Sequence, residues 1–174
     1  MLCSLLVNAA ITPAIAAEAA AGQRLQAPDF VARTLDGDTA VRLSAFADKV
    51  VLLNFWASWC FPCRAEMPEF QKLYNRFKDD GLVVVAVAVY DERADAQAFK
   101  SKYKFSFPVW FDDMEQAKKA FNIEVVPQTF LIGRDGRLVP IPNPKTNKSK
   151  LVVNDPTIWP QPETYRFFEA LLKQ

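Results

Sequence analysis

Two cysteines lie two residues apart in the run Trp59-Cys60-Phe61-Pro62-Cys63. The run falls where a continuous apolar stretch, Val50 to Trp56, hands over to a helical pattern starting near residue 62. A C-x-x-C pair at a helix N-terminus suits thiol chemistry. The first cysteine stands beyond the helix end, where unpaired N–H groups and the macrodipole stabilise a thiolate. That position lowers its pKa from about 8.5 toward 7 or below. The second cysteine lies one turn in, partly buried and within disulfide reach. Cys60 is therefore expected to attack and Cys63 to resolve. Pro62 fits the helix start, where a missing N–H costs nothing. The plainer reading is a structural disulfide or two small buried residues. The strand–C-x-x-C–helix setting within a βαβ pattern argues against it.

Composition removes most other chemistries. The chain has 174 residues, three cysteines, no histidine and a formal net charge of +1. That length supports one domain with a real core. Without histidine, Ser-His-Asp and Cys-His constellations and His-ligated zinc or haem sites are unavailable. Three cysteines cannot build a four-thiolate metal site or a disulfide-dense scaffold. No metal site is expected. A thiol peroxidase needs Pro-x-x-x-Thr-x-x-Cys, but Leu53 and Ala57 stand at the Pro and Thr positions before Cys60. A copper-delivery protein on such a fold would want a wider cysteine pair and a histidine. The charge balance, with only the small basic run Lys145 to Lys150, excludes a nucleic-acid partner.

The elements that must position the pair follow from periodicity. Residues 27–43 read as two short strands around the turn signal Asp36-Gly37. Val50 to Trp56 and Leu82 to Val89 read as strands buried on both faces. Between them, Met67, Phe70, Tyr74 and Phe77 fall at helical spacing over residues 62–79, and Gly81 ends that helix. A second helix is expected over Ala94 to Tyr103, with Phe99 and Tyr103 inward. A short strand follows at Pro108 to Phe111 and a short helix at Glu115 to Phe121. Gln128 to Ile132 reads as a strand, with Arg137 to Val139 as its hairpin partner across Asp135-Gly136. A last helix spans Glu163 to Lys173, buried through Tyr165, Phe168 and Leu172. This order indicates an α/β sandwich whose helix-linked strands are parallel.

The run VVLLNFWASWCFPCRAEMPEF resembles the thioredoxin superfamily, in its exported TlpA/ResA-like thiol–disulfide oxidoreductase branch. The resemblance extends from about Ala27 to Val139. The Ala27-Pro28-Asp29-Phe30 opening is similar to that branch's N-terminal extension. The W-C-x-P-C-x-x-E-x-P pattern is matched by Trp59, Cys60, Pro62, Cys63, Glu66 and Pro68. Val126-Pro127-Gln128-Thr129-Phe130 is similar to the family's cis-proline loop. The resemblance implies a three-layer α/β/α sandwich with a mixed central sheet and an N-terminal β-hairpin extension. It also implies a redox-active Cys60–Cys63 disulfide and no bound cofactor.

The resemblance carries roles onto further residues. The branch's matching Glu tunes the cysteines and moves protons, a role that falls here on Glu66, one turn beyond Cys63. A nearby carboxylate also raises a thiol's pKa. The plainer reading of Glu66 is a solvated helix carboxylate. Asn54 departs from the buried Asp of thioredoxins proper, and an amide cannot shuttle protons, which leaves Glu66 as the nearest candidate for proton transfer. Pro127 is expected cis, which the residues alone would not say. The Val126 backbone would then pair with an extended substrate. Trp59 and Phe61 would form an apolar rim for docking. Trp56 is assigned to the core, and Pro68 is expected to kink the helix. Gln128 differs from the usual Thr or Glu and leaves substrate identity open.

Both ends of the chain lie outside the resemblance. Residues 140–162 hold half of the 12 prolines. Such density is expected to exclude regular structure and give a long loop. One reading makes it a docking surface anchored by Trp159, with Lys145, Lys148 and Lys150 meeting an acidic partner. The favoured reading is a tolerated surface insertion. Residues 2–15 are mostly apolar, and Ala14-Ile15-Ala16 fits a small-x-small cleavage site. A signal peptide is expected over residues 1–17 and a loose leader over 18–27, before a single domain at 28–174. Cys3 would leave with the signal. No Lys or Arg precedes Arg24, so an uncleaved anchor stays open. The expected function is an exported reductase of protein disulfides, periplasmic or otherwise extracytoplasmic, in the cell envelope. Its expected partners are protein thiols, apocytochrome c among them by resemblance, and an upstream envelope electron donor. An oxidase or isomerase is the alternative direction, and a non-catalytic binding protein the alternative class. Relatives span roughly −270 to −120 mV, and Phe61-Pro62 does not choose between them.

Overall fold

The computed structural model describes residues 25–174. The expected signal peptide, its cleavage site and Cys3 lie outside the described residues. Among the described residues, eight strands and four α-helices follow one another. The strands are β1 (Val31–Thr34), β2 (Ala40–Arg42), β3 (Val50–Trp56), β4 (Leu82–Ala88), β5 (Val109–Phe111), β6 (Gln128–Ile132), β7 (Ile141–Asn143) and β8 (Lys148–Lys150). The helices are α1 (Phe61–Phe77), α2 (Arg93–Tyr103), α3 (Gln116–Ala120) and α4 (Pro162–Leu172). Six strands make one mixed sheet in the order β2-β1-β5-β4-β3-β6. β3, β4 and β5 run parallel. β1 pairs antiparallel with β2 and β5, and β6 antiparallel with β3. Among the described residues no helix is long and apolar enough to cross a membrane.

β3 is buried along its whole length, as expected of a central strand covered on both faces. Its alternate residues feed two cores. Leu52 and Trp56 join Met67, Phe70, Leu73 and Phe77 of α1, with Phe99 of α2 and Phe168 and Leu172 of α4. Val51, Leu53 and Phe55 join Phe30, Trp110, Phe121 and Phe130 on the opposite face, where α3 packs through Ala117. This is the expected α/β/α layering, and Trp56 is a core residue against Phe99. α1 runs unbroken through Pro68.

Two expectations about inward side chains are softened. Tyr103 is 39% exposed. It ends α2, and its ring lies tilted against Phe99 and stacks on Phe105 at the core's rim. Tyr165 is only half-buried, against Phe77. The expected strand at Arg137 to Val139 reduces to single bridges. Leu138 pairs with Ile132 on one side, while Arg137 pairs with Gln26 on the other. Leu138 N donates to Leu25 O, so this stretch is shared between two neighbours.

The Pro-rich segment contradicts its expected irregularity. β7 and β8 form an antiparallel hairpin that pairs Pro142 with Ser149. Asn143 Oδ1 accepts from the N–H groups of Lys145 and Thr146 and shapes the turn. A 3₁₀ turn, Pro156–Ile158, follows, capped by Asp155. The prolines occupy places where no N–H is required. Pro142 sits in a two-stranded ribbon, and Pro156 and Pro162 open helical turns.

Gly81 stops the 3₁₀ extension of α1 with φ at +99°. A Cβ there would lie 2.9 Å from Arg134 Nη1. That guanidinium donates to the carbonyls of Asp48, Asp80 and Leu172, tying α1 and α4 to the β3 entry. Gly81→Ala is expected to cost about 1–2 kcal/mol, from the left-handed backbone alone. Urea unfolding measures it, and an unchanged midpoint would show that the conformation is not needed.

Candidate active site

The end of β3 delivers the cysteines. After Trp56 the chain turns tightly, with Cys60 N donating to Ala57 O. Ser58 fixes the turn from outside, its N–H and hydroxyl both donating to the Asp91 carboxylate. Cys60 is the N-cap of α1, and its sulfur accepts from Cys63 N at 3.2 Å. Phe61 and Pro62 occupy the first helical turn. Cys60 and Cys63 are joined by a disulfide with Cα atoms 5.3 Å apart. Cys60 is 4% exposed and Cys63 fully buried. Both sulfurs are shielded in the disulfide, Cys63 more completely than Cys60.

The neighbours of Cys60 are open. Trp59 is 63% and Phe61 81% exposed. Trp59 is held by its indole N–H on Tyr90 O at 2.8 Å. A cleft of about 410 Å³ opens beside it, lined also by Tyr90, Asp91, Glu92, Asp113 and Lys118. Phe55 pairs with Gln128 across β3 and β6, so Pro127 enters the sheet at the end where Cys60 leaves it. The Val126–Pro127 peptide is cis. Pro127 is buried and Val126 half-buried. A larger cleft, about 430 Å³, lies at the other end of β3 near Val51 and Arg134, away from the sulfurs. Among the described residues no group of three His, Cys, Asp or Glu side chains could hold a metal.

Glu66 is not a solvated helix carboxylate. It is fully buried, one turn beyond Cys63 on the inner face of α1. Its Oε1 accepts from Asn54 Nδ2 at 2.7 Å, and its Oε2 accepts from Trp159 Nε1 at 3.0 Å. Burial pushes its pKa up to about 8, while the Trp159 and Asn54 donors pull it down. Asn54 is placed by the sheet. It lies directly opposite Thr129, and its Nδ2 also donates to Thr129 Oγ1 at 3.0 Å.

Asn54 and Trp159 are the site residues that sequence reasoning missed. As an amide Asn54 cannot move protons, yet it is the only polar side chain in Val50–Trp56 apart from the Trp56 indole. A lone amide in an apolar buried strand signals a buried partner. Trp159 was expected either as an exposed docking anchor or as part of a surface insertion. It is instead fully buried, ring to ring with Phe70 at 5.0 Å. Its contact with Glu66 spans 93 positions of sequence. The lysines stay at the surface, where Lys145 donates to Thr157 and Lys148 and Lys150 are exposed.

The sign of the Glu66 effect on stability follows. Its pKa rises from an ordinary 4.5 to about 8 on folding. Between those values the folded chain keeps a proton that the unfolded chain releases. Stability is therefore lost as pH rises through that window, by up to about 1.4 kcal/mol per pH unit. Glu66→Gln is expected to flatten this slope. Urea unfolding of the oxidised protein across the window checks it, and an equal slope in both proteins would refute the assignment.

Comparison with known proteins agrees with this geometry. Residues 24–141 match the AhpC/TSA family. The thiol-disulfide oxidoreductase ResA of Geobacillus kaustophilus is 38% identical over 112 residues, covering 64% of each chain. ResA of Bacillus subtilis is 36% identical over 115 residues, 66% of this chain and 64% of that one. The chain thus spans about 64% of the length of these relatives. A Chlorobium tepidum structure assigned as thiol:disulfide interchange protein DsbE superposes with a TM-score of 0.65 at 28% identity, over 87% of this chain and 95% of that one. A thioredoxin family protein of Chlorobium tepidum TLS gives 0.68 at 21% identity, over 86% and 97%. By sequence match and by its thioredoxin-like fold, the chain belongs to the AhpC/TSA family.

Proposed function

We propose that this chain is a thiol–disulfide oxidoreductase that reduces protein disulfides in the cell envelope. The observation that carries the reading is the Cys60–Cys63 disulfide at the N-cap of α1, above a buried Glu66. The relatives named ResA support it. Peroxide chemistry is not proposed, because Leu53 and Ala57 replace the Pro and Thr it needs.

The reaction runs through a mixed disulfide. The Cys60 thiolate, favoured by the helix N-terminus, attacks a substrate disulfide. A Cys60–substrate S–S bond forms, the substrate S–S bond breaks, and the released substrate thiolate takes a proton from solvent. Ionised Glu66 then accepts the Cys63 proton. The Cys63 thiolate attacks the Cys60 sulfur, the Cys60–Cys63 bond forms, and the second substrate thiolate leaves and is protonated. Two electrons have passed to the substrate, and an upstream dithiol donor returns two to the pair. The redox group is the cysteine pair itself, so no bound cofactor enters.

Trp59 and Phe61 would dock the substrate chain around Cys60, with Pro62 shaping the turn between the sulfurs. The Val126–Pro127 backbone would pair with its extended segment. Apocytochrome c is a candidate substrate by the resemblance in sequence. Export rests on the apolar run at residues 2–15 with Ala14-Ile15-Ala16 behind it.

Insulin reduction with dithiothreitol as donor tests the activity. Wild type is expected to turn over and Cys60→Ser to fall to background. Equal rates for the two would refute the catalytic reading. A reduction potential below about −250 mV is expected for a reductase, and one above about −150 mV would reverse the direction to oxidase.

A further inference from the structure

Trp159 lies beyond residue 141, where the family match ends. It nevertheless supplies one of the two hydrogen bonds that the Glu66 carboxyl accepts among the described residues. Several contacts fix it there. Thr129 and Val153 exchange backbone hydrogen bonds of 2.8 and 2.9 Å, which docks the segment on the edge of β6. Asp155 caps the 3₁₀ turn through Thr157 N at 2.9 Å. Thr164 Oγ1 donates to Ile158 O at 2.6 Å and ties the turn to α4. The indole then seats against Phe70, one turn past Glu66 on α1.

The two donors to Glu66 differ in kind. Asn54 carries both a donor and an acceptor, and its Oδ1 is buried without a partner. By turning its amide over it can accept from a protonated Glu66 or donate to an ionised one. The indole N–H only donates. Its bond to a carboxylate is roughly twice as strong as to a neutral carbonyl. Trp159 is therefore the contact that distinguishes the two protonation states. The influences on Glu66 are burial, Trp159 and Asn54 from β3, with no charged side chain among them. Thr129 of β6 reaches it only through Asn54. The titratable group one turn back on its own helix is Cys63.

We propose that Trp159 is a positioning residue for the thiol–disulfide exchange: its indole N–H holds the Glu66 carboxyl by Oε2 and favours the ionised form that accepts the Cys63 proton. The proposal rests on the oxidoreductase reading. Cys63 S–H gives its proton to Glu66. The Cys63 sulfur bonds to Cys60 as the Cys60–substrate bond breaks, and the departing substrate thiolate is reprotonated. The indole keeps its own proton throughout.

Two measurements on the full chain test this. The four tryptophan indole N–H signals are followed by ¹H–¹⁵N spectroscopy of the oxidised protein across the Glu66 range. The signal assigned to Trp159, by its absence in Trp159→Phe, is expected to titrate with a midpoint near the Glu66 value of about 8. Glu66→Gln is expected to abolish that titration. An indole signal insensitive to pH, or to Glu66→Gln, overturns the proposal. The second measurement is the pH profile of insulin reduction. Trp159→Phe is expected to move its acid limb up by about one pH unit, a loss of about tenfold below the limb. In the Glu66→Gln background the same substitution is expected to change nothing. Equal losses in both backgrounds would mean that Trp159 acts by packing alone and would overturn the proposal. If Trp159→Phe does not fold, 3-benzothienylalanine at position 159 keeps the ring shape without the N–H, and the same shift is expected. A wild type that reduces no insulin overturns the oxidoreductase reading and this proposal with it. An active wild type with an unshifted Trp159→Phe profile overturns this proposal alone.

Discussion

A carboxyl shut away from water with no countercharge is the constraint on which this site depends. Moving an ionised carboxylate out of water costs several kcal/mol even after relaxation. The protein meets that cost in two ways. Burial raises the affinity of Glu66 for its proton, and two neutral donors offset part of the rise. Each donor must be held by an element fixed relative to α1, because a carboxyl oxygen left bare would add a further penalty. Asn54 is held by its register against Thr129. Trp159 is held by the bridge from Val153 to the same Thr129. One strand position thus anchors both donors, one through its side chain and one through its backbone.

The same helix sets the two sulfurs in opposite environments. Cys60 caps α1, and its sulfur accepts from the first-turn N–H of Cys63. A helix N-terminus lowers the pKa of whichever thiol sits there. Cys63 lies inside the first turn, fully buried, with Glu66 one turn ahead. Burial and a nearby carboxylate both hold a thiol protonated. The two sulfurs thus differ in burial and in their place on the helix, which is the asymmetry that the proposed order of attack and resolution uses.

Local rules made much of this legible. Val50–Trp56, the C-x-x-C handover and Met67, Phe70 and Phe77 on one helical stripe were readable because burial and periodicity coincide there. The resemblance placed Glu66 and Pro127, which no local pattern could. Tertiary placement defeated the rest. Proline density in residues 140–162 was read as an absence of structure, but each structured proline fills a slot that needs no N–H. Trp159 was read from its polar, proline-rich surroundings as a surface residue. Its burial is decided by a partner 93 positions away, and nothing in its own neighbourhood encodes that.

This bears on what the segment after residue 140 contributes. Lengthening a surface loop costs little, since closure entropy grows only slowly with length. Tolerance alone would account for a loop that touches nothing. Here Ile141, Val153, Ile158 and Trp159 all join the core that holds α1 and the cysteines. The segment therefore packs as part of the domain, and its Trp159 indole reaches the carboxyl behind Cys63. A chain of this family without such a segment must satisfy that oxygen with another donor or with water. Either substitute would hold the proton with a different strength. One of the three influences on that proton affinity, the Trp159 donor, thus comes in this chain from outside the stretch that matches the family.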